Sequence, residues 1–410
     1  MTAKTPPTEY LSEWAASGYL GQIGRISPLS VAKQREGYNI SEAPGSAHLN
    51  YIYNRIGDWN EVAGRAAAAK MAFRNIDYTD VNPGPTTGIV QGIHIDYFEN
   101  ADHWYISGVD VGGNVFCNDS ADGETWATVV NLVNVGAGSY GDASKVATNG
   151  TVCAIAADSG GEGVVYTSSD LTVANLGGAN AVGTSTTFVE SSDMAYDGSL
   201  WILCGRSTTR GNIWTASNPA GTWTLRKTFT TDADAISLST DGAGNSVCSG
   251  ATETFYSSNG TTWNTSTTVA PVANNSAWSP SLGLFVIIEN ATGEFWTSTN
   301  GDVWRDQFLI NAVPKLYQLA HTPDFFLAWE STAVSANGAT FAAVHAFHTE
   351  AINADDYSYQ PLGDGWEDAL PKVGADFGIF RGGQGKVIFP YHVGTTTSNF
   401  KLAIARYGAA

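Results

Sequence analysis

Charge is scarce in this sequence. Asp, Glu, Lys and Arg together make up 14% of its 410 residues, against about 25% in an ordinary soluble domain. Basic residues are the scarcer kind: 20 Lys and Arg face 39 Asp and Glu, for a formal net charge of −19. A surface of that sign repels phosphate backbones and anionic headgroups, so neither nucleic acid nor a membrane surface is an expected partner. No stretch approaches the ~20 apolar residues of a membrane span. The start, MTAKTPPTEYLSEW, lacks the basic residues and apolar run of a secretion signal. The four cysteines, Cys117, Cys153, Cys204 and Cys248, have no metal-ligand spacing. Three of them recur in the contexts TVCAIA, WILCGR and SVCSGA, which reads as small buried residues in equivalent strands, all reduced. No Gly-rich loop reads as a phosphate cradle and no G-x-S-x-G phrase marks a hydrolase nucleophile. Neither a cofactor nor a bound metal is expected.

What is present repeats. Apolar residues reach 43%, enough for a large core, and the polar remainder is mostly Gly, Ser, Thr and Asn, which favours turn-rich β structure. A short apolar strand recurs as HWYISG (103–108), TVCAIA (151–156), LWILCG (200–205), NSVCSG (245–250), LFVIIEN (284–290), FFLAWE (325–330) and KVIFPY (386–391). A turn bearing Gly, Asn, Asp or Pro precedes most copies. Repetition at about 40–50 residues with several short strands per unit signals a β-propeller. The expectation is an all-β fold, a β-propeller of about seven blades over residues 77–410, with six or eight as the alternative counts because 331–375 is irregular. The last strands, KVIFPYHV and NFKLAIARYG, leave the seventh blade one strand short, and a segment between about residues 73 and 99 is expected to complete it.

A second repeat lies inside the first. SADGETW (120–126), SSNGTTW (257–263) and STNGDVW (298–304) share the order Ser, any residue, Asp or Asn, Gly, two residues, Trp. Asp122, Asn259 and Asn300 can accept hydrogen bonds from N–H groups of their own turns after Ser120, Ser257 and Ser298. Gly123, Gly260 and Gly301 supply positive φ, and Trp126, Trp263 and Trp304 are large apolar plugs. TSSDLTV in the second unit lacks the Gly and Trp, and SNPAGTW in the third carries an insertion. The phrase resembles the Asp-box of sialidase-like propellers, which implies Asp-box hairpins between the third and fourth strands of a blade and says little about a reaction.

Residues 1–76 read differently. From Ser46 to Ile76, Leu49, Ile52, Tyr53, Ile56, Trp59, Ala63, Ala66 and Phe73 fall at three- and four-residue steps. That predicts one amphipathic helix over about 46–76 with Ser46 as N-cap. It packs either on its own propeller or on another chain. Trp14, Ser17, Gly18, Pro28, Lys33, Gly37, Tyr38, Glu42, Pro44, Asn54 and Arg55 stand in an order that resembles the opening of tailed-bacteriophage tail-fibre and virion-surface proteins. Ala43 departs from that pattern, where the family often has an apolar residue and a second Pro. The resemblance covers about 50 residues. It implies a virion-anchoring segment (1–76), marked by Trp14, Gly18, Pro44, Asn54 and Arg55, that joins other tail or capsid proteins. It also implies a chain made in the host cytoplasm and carried on the particle surface, with a trimer as the assembly by analogy with fibres.

Chemistry-bearing residues are few. Arg206, Arg210, Arg226, Arg305 and Arg381 do not form the pattern of a sialidase. Carboxylate candidates for a glycosidase are Asp232 and Asp234, Asp355 and Asp356, and Asp364, Glu367 and Asp368, each equally a solvated loop acid. His345 and His348 lie at a strand and its exit rather than in a metal motif. Tyr357, Tyr359 and Trp366 with Asp356 combine aromatic faces and an acid, which suits a glycan as well as a pinned loop. No catalytic residue is assigned. The expected function is a virion structural protein, a tail-fibre or surface-appendage component whose propeller binds a host-surface receptor of glycan type. A purely structural tail or capsid adaptor and a propeller glycosidase are the alternatives.

Overall fold

The structure is a computed structural model and describes residues 89–110, 112–134, 144–158, 163–183, 190–207, 210–230, 235–250, 253–267, 273–280, 283–289, 295–306, 316–321, 325–335, 338–348, 360–361, 381–383, 386–392 and 400–406. These residues form seven antiparallel sheets, each a meander of neighbouring strands. The first holds β1 (Ile89–Phe98), β2 (His103–Asp110), β3 (Asn114–Ser120) and β4 (Val130–Asn134); the second holds β5 (Ser144–Thr148), β6 (Cys153–Asp158), β7 (Gly163–Ser168) and β8 (Asn180–Val182). The third comprises β9 (Glu190–Tyr196), β10 (Trp201–Arg206), β11 (Gly211–Ala216) and β12 (Thr224–Thr228). In the fourth are β13 (Ala235–Thr240), β14 (Ser246–Gly250), β15 (Thr254–Ser257) and β16 (Asn264–Thr265). The fifth has β17 (Ala273–Ser279), β18 (Leu284–Glu289), β19 (Phe295–Ser298) and β20 (Arg305–Asp306). The sixth has β21 (Leu316–His321), β22 (Phe325–Ser335), β23 (Gly338–His348) and β24 (Gln360–Pro361), and the seventh has β25 (Arg381–Gly383), β26 (Lys386–His392) and β27 (Phe400–Arg406).

All seven repeated apolar strands are second strands: β2, β6, β10, β14, β18, β22 and β26. Their continuous apolar character has a physical cause. A second strand is paired on both sides, and both of its faces are covered by neighbouring sheets, so period-two alternation disappears. In β2, Tyr105 packs with Val146, Cys153 and Ile155 of the second sheet. Trp104 and Ile106, on the opposite face, pack with Ile388, Leu402 and Ile404 of the seventh. Fourth strands are exposed instead, as in β12, where Leu225 is 45% exposed.

First strands lie beside one another in series from β1 through β5, β9, β13, β17 and β21 to β25, and β25 lies beside β1. The sheets are therefore arranged about their first strands in a propeller-like way.

Two expectations change. Residues 89–98 do not complete the seventh sheet; they are β1 and pair with β2 along Phe98↔His103 to Ile89↔Asp110. Residues 73–88 lie outside the described residues. The stretch expected to be least regular begins with a long hairpin, because β22 and β23 continue pairing to Ser335↔Gly338. The 46–76 helix and the whole 1–76 segment fall outside the described residues.

Candidate functional site

The Ser-x-Asp/Asn-Gly-x-x-Trp phrases occupy the turns from β3 to β4, β15 to β16 and β19 to β20. In the first, Ser120 Oγ accepts from the Gly123 N–H (2.8 Å) and Asp122 Oδ1 accepts from the N–H groups of Glu124 (2.8 Å) and Thr125 (2.6 Å). Asn259 Oδ1 does the same for Thr261 and Thr262 at 2.9 and 2.8 Å, and Asn300 Oδ1 accepts from Asp302 at 3.0 Å. One oxygen does the work, which is why Asp and Asn alternate there. Gly123, Gly260 and Gly301 have φ of 71°, 66° and 78°, the left-handed region this turn requires.

Each phrase presses on the preceding sheet. A Cβ on Gly301 would lie 2.5 Å from Val247 Cγ2, and one on Gly260 would lie 2.5 Å from Asp197 Oδ2. A Cβ on Gly123 would meet Ile388 of the seventh sheet at 2.7 Å. The indoles follow: Trp263 joins the core between third and fourth sheets, and Trp304 the core between fourth and fifth. Half-buried Trp126 packs on the core between first and seventh. Lys386 reinforces that last seam, donating to the Asp122 carbonyl (2.6 Å) and pairing with Glu124 (2.7 Å). The second sheet manages without the glycine: Leu171 takes φ 66° in its place and Val173 is buried against the first sheet. These residues form joints between sheets. Burial alone would raise the Asp122 carboxyl, but the Thr125 and Glu124 N–H groups outweigh it and hold the group down at about 2.

A second set of polar residues lies on the first strands. By register, His94 stands opposite Ser107, Lys145 opposite Ala156, Asp193 opposite Cys204, Ser237 opposite Ser249 and Ser276 opposite Ile287. The first four are matching places that face the following sheet, whereas Ser276, opposite Ile287, faces back to the fourth sheet; together the five make a line of polar residues along the first strands. Three of its seams are bridged. The Lys145 ammonium bonds His94, 3.1 Å from Nδ1; Asp193 Oδ2 accepts from the Leu238 N–H at 2.8 Å; and the Ser237 and Ser276 hydroxyls lie 2.9 Å apart. Sequence reasoning missed this line. Its signal was a polar residue eight or nine positions ahead of the second strand in the first four sheets, legible only once those strands are aligned.

Among the residues singled out from the sequence, Tyr357, Tyr359, Trp366 and Asp356 lie outside the described residues. So do Asp232, Asp234, Asp355, Asp364, Glu367, Asp368 and the anchoring set Trp14, Gly18, Pro44, Asn54 and Arg55. His345 and His348 fall on β23. Arg226 donates to Thr215 Oγ1 at 2.8 Å, while Arg206, Arg210 and Arg305 are exposed. All four cysteines are free and buried. Burial pushes the Cys153 thiol up to about 12 and raises Cys117 and Cys204 as well, so these sulfurs stay protonated and are poor nucleophiles. Among the described residues no group of three or more His, Cys, Asp or Glu is placed to hold a metal ion.

No family model matches the chain, and no curated protein matches it in sequence. Solved structures do. The β-propeller domain of Cps50 (Swd1) from Myceliophteria thermophila is 9% identical with a TM-score of 0.52, covering 80% of this chain and 99% of that one. Catalytically inactive virginiamycin B lyase from Staphylococcus aureus with quinupristin is 6% identical with a TM-score of 0.54, covering 81% and 99%. The selenomethionine-substituted form of that lyase is 7% identical, with a TM-score of 0.51 over 81% and 99%. At such identities the likeness concerns the fold alone: this chain has a distant β-propeller-like fold.

Proposed function

We propose that this chain is a structural adaptor of a bacteriophage particle. Residues 1–76 attach it to other tail or capsid proteins, and residues 77–410 close into a seven-bladed propeller with Asp-box hairpins at its seams. The observation that carries this reading is the employment of the acids. Asp110 accepts from Gly112 and Asn114, Asp197 from Ser199 and Leu200, Asp241 from Ala243 and Asn245, and Glu253 from Thr230, all through backbone N–H groups. With Asp119, Asp122, Asp170, Asp193 and Asp302 they make a set of carboxylates engaged in holding turns and seams. Such acids favour a rigid part over a catalyst, which needs a carboxyl group available to a substrate. Closure is supported by the first sheet's hairpin seated on Ile388 and Lys386 of the last. The resemblance of the first ~50 residues carries the phage assignment, the virion-surface location and a trimeric assembly.

Binding of a host-surface receptor of glycan type is the second reading, favoured by the line of polar residues on the first strands. Cryo-electron microscopy of particles purified from the cells that make this chain separates the two. Residues 77–410 clamped between tail or capsid proteins are the expected result. A propeller projecting with a free rim would overturn the adaptor role in favour of receptor binding, and absence of the chain from purified particles would overturn both.

A further inference from the structure

We propose that the outer edge of the third sheet, at Leu225, Arg226 and Lys227 of β12, is a docking surface for an acidic, extended segment of a partner protein. The chain holds 39 acids against 20 Lys and Arg, yet residues 184–230 carry Arg206, Arg210, Arg226 and Lys227 against Glu190, Asp193 and Asp197. Two of those acids serve the interior: Asp193 accepts from the Leu238 N–H, and Asp197 is fully buried. Glu190 stands beside Arg206 by register. Between residues 89 and 267 the only other Lys or Arg is Lys145. The third sheet is therefore the cationic part of a long acidic stretch.

β12 is the edge of that sheet, paired only with β11. Arg226 and Lys227 are each held there by a contact that leaves the charge uncompensated. Arg226 Nε donates to Thr215 Oγ1 at 2.8 Å, and the Lys227 ammonium lies 4.4 Å from the centroid of the Phe255 ring. A guanidinium has five N–H donors and an ammonium three, so most remain for carboxylates. Among the described residues the ion pairs are His103–Asp119 and Lys386–Glu124. Glu253, which reaches Thr230 just past β12, spends both oxygens on that residue. Beside the cations, Leu225 is 45% exposed, one of two large apolar side chains exposed among the described residues. That combination fits a segment with an apolar residue flanked by acids, whereas a polyanionic glycan offers Leu225 no apolar side chain. Strand addition is not the mode. The register passes from Leu225↔Trp214 to Lys227↔Ile213, so Arg226 is a bulge residue, and a bulge with Lys and Arg guards an edge against a further strand. The segment is therefore recognised through side chains. The chain's other acids do not prevent this, because fields are screened beyond about 8 Å at physiological salt. The surface rests on β12, not on the phage reading, so either can fail without the other.

The test is fluorescence anisotropy of the full chain with a fluorescein-labelled peptide of Glu-Glu-Leu repeats. Peptides of Gln-Gln-Leu and Glu-Glu-Ser repeats remove the charge and the apolar residue in turn. The Glu-Glu-Leu peptide is expected to bind more tightly than both, and less tightly as salt rises. Arg226→Gln combined with Lys227→Gln should weaken binding at least about tenfold, and Leu225→Ser about threefold. No binding of the Glu-Glu-Leu peptide by the unmodified chain, or undiminished binding by the double variant, overturns the surface. Heparin binding in place of the peptide, with Leu225→Ser without effect, overturns the peptide assignment in favour of a polyanionic polysaccharide. Should circular dichroism show the double variant unfolded, Arg226→Gln and Lys227→Gln are read singly under the same criteria, and the titration of the unmodified chain remains decisive alone.

Discussion

Asp122 shows how an acid-rich, charge-poor chain uses its carboxylates. Its folded pKa of about 2 lies below the ~3.9 of an unfolded aspartate. The stabilisation is therefore complete above about pH 4 and lost as pH falls through about 2. Asp122 is largely exposed, so solvent screening leaves well under about 1 kcal/mol. Asp122→Asn should keep the hairpin, because an amide already does this work at Asn259 and Asn300. Urea midpoints should place the variant slightly below the parent at pH 7, with the gap closing toward pH 2; a gap independent of pH would sink the argument. Asp197 is the opposite case. It is fully buried, its Oδ1 serves Ser199 and Leu200, and its Oδ2 has no donor. Asn149 holds the matching β5–β6 turn with an amide oxygen. Asp197→Asn should therefore stabilise by about 1 kcal/mol at pH 7, because a half-satisfied buried charge costs more than a neutral amide. A lowered melting temperature would contradict this. The phrase residues were legible in the sequence because their turn chemistry is local. Asp197 was not, since its burial depends on the next sheet.

Elements divide along the same line. Second strands were legible because burial on both faces makes them continuous apolar runs, as in LWILCG and LFVIIEN. First and fourth strands such as SKVAT or TLRKT carry no such run, and pairing alone reveals them. The phrase hairpin joins the two scales, since its glycine answers both to its own turn and to the neighbouring sheet. Substitution can separate these demands. Gly242 has φ 70° with open space where a Cβ would go, whereas Gly301 has φ 78° and would place a Cβ 2.5 Å from Val247 and 2.8 Å from Tyr256. Gly242→Ala should cost about 1–2 kcal/mol, the backbone term alone. Gly301→Ala should cost about 1–3 kcal/mol more through overpacking. Chemical denaturation of the two variants measures the difference, and equal losses would mean the hairpin does not bear on the fourth sheet.

At the scale of the whole molecule, repetition made the sheet count readable from the sequence, but contacts between distant repeats were hidden. Nothing local in KLAIAR announces that Leu402 and Ile404 are buried against Trp104, Ile106 and Phe116, nearly 300 residues earlier in the chain. That seam makes the two ends of the propeller unequal in a deletion experiment. Removing residues 1–70 leaves β1 and every described sheet intact and should give a chain that melts in one cooperative transition. Removing the last ten residues takes Lys401 to Arg406 from β27 and with them Leu402 and Ile404. Each buried apolar side chain of that size contributes about 1.5–3 kcal/mol, and Trp104 and Phe116 lose their cover as well. Against a total stability of about 5–15 kcal/mol, the loss should abolish cooperative melting and open the first sheet to proteolysis. Near-ultraviolet circular dichroism and limited proteolysis of both chains decide the matter. If the N-terminal deletion fails to fold, the separate anchor falls; if the C-terminal deletion melts like the parent, the first and seventh sheets do not lock each other.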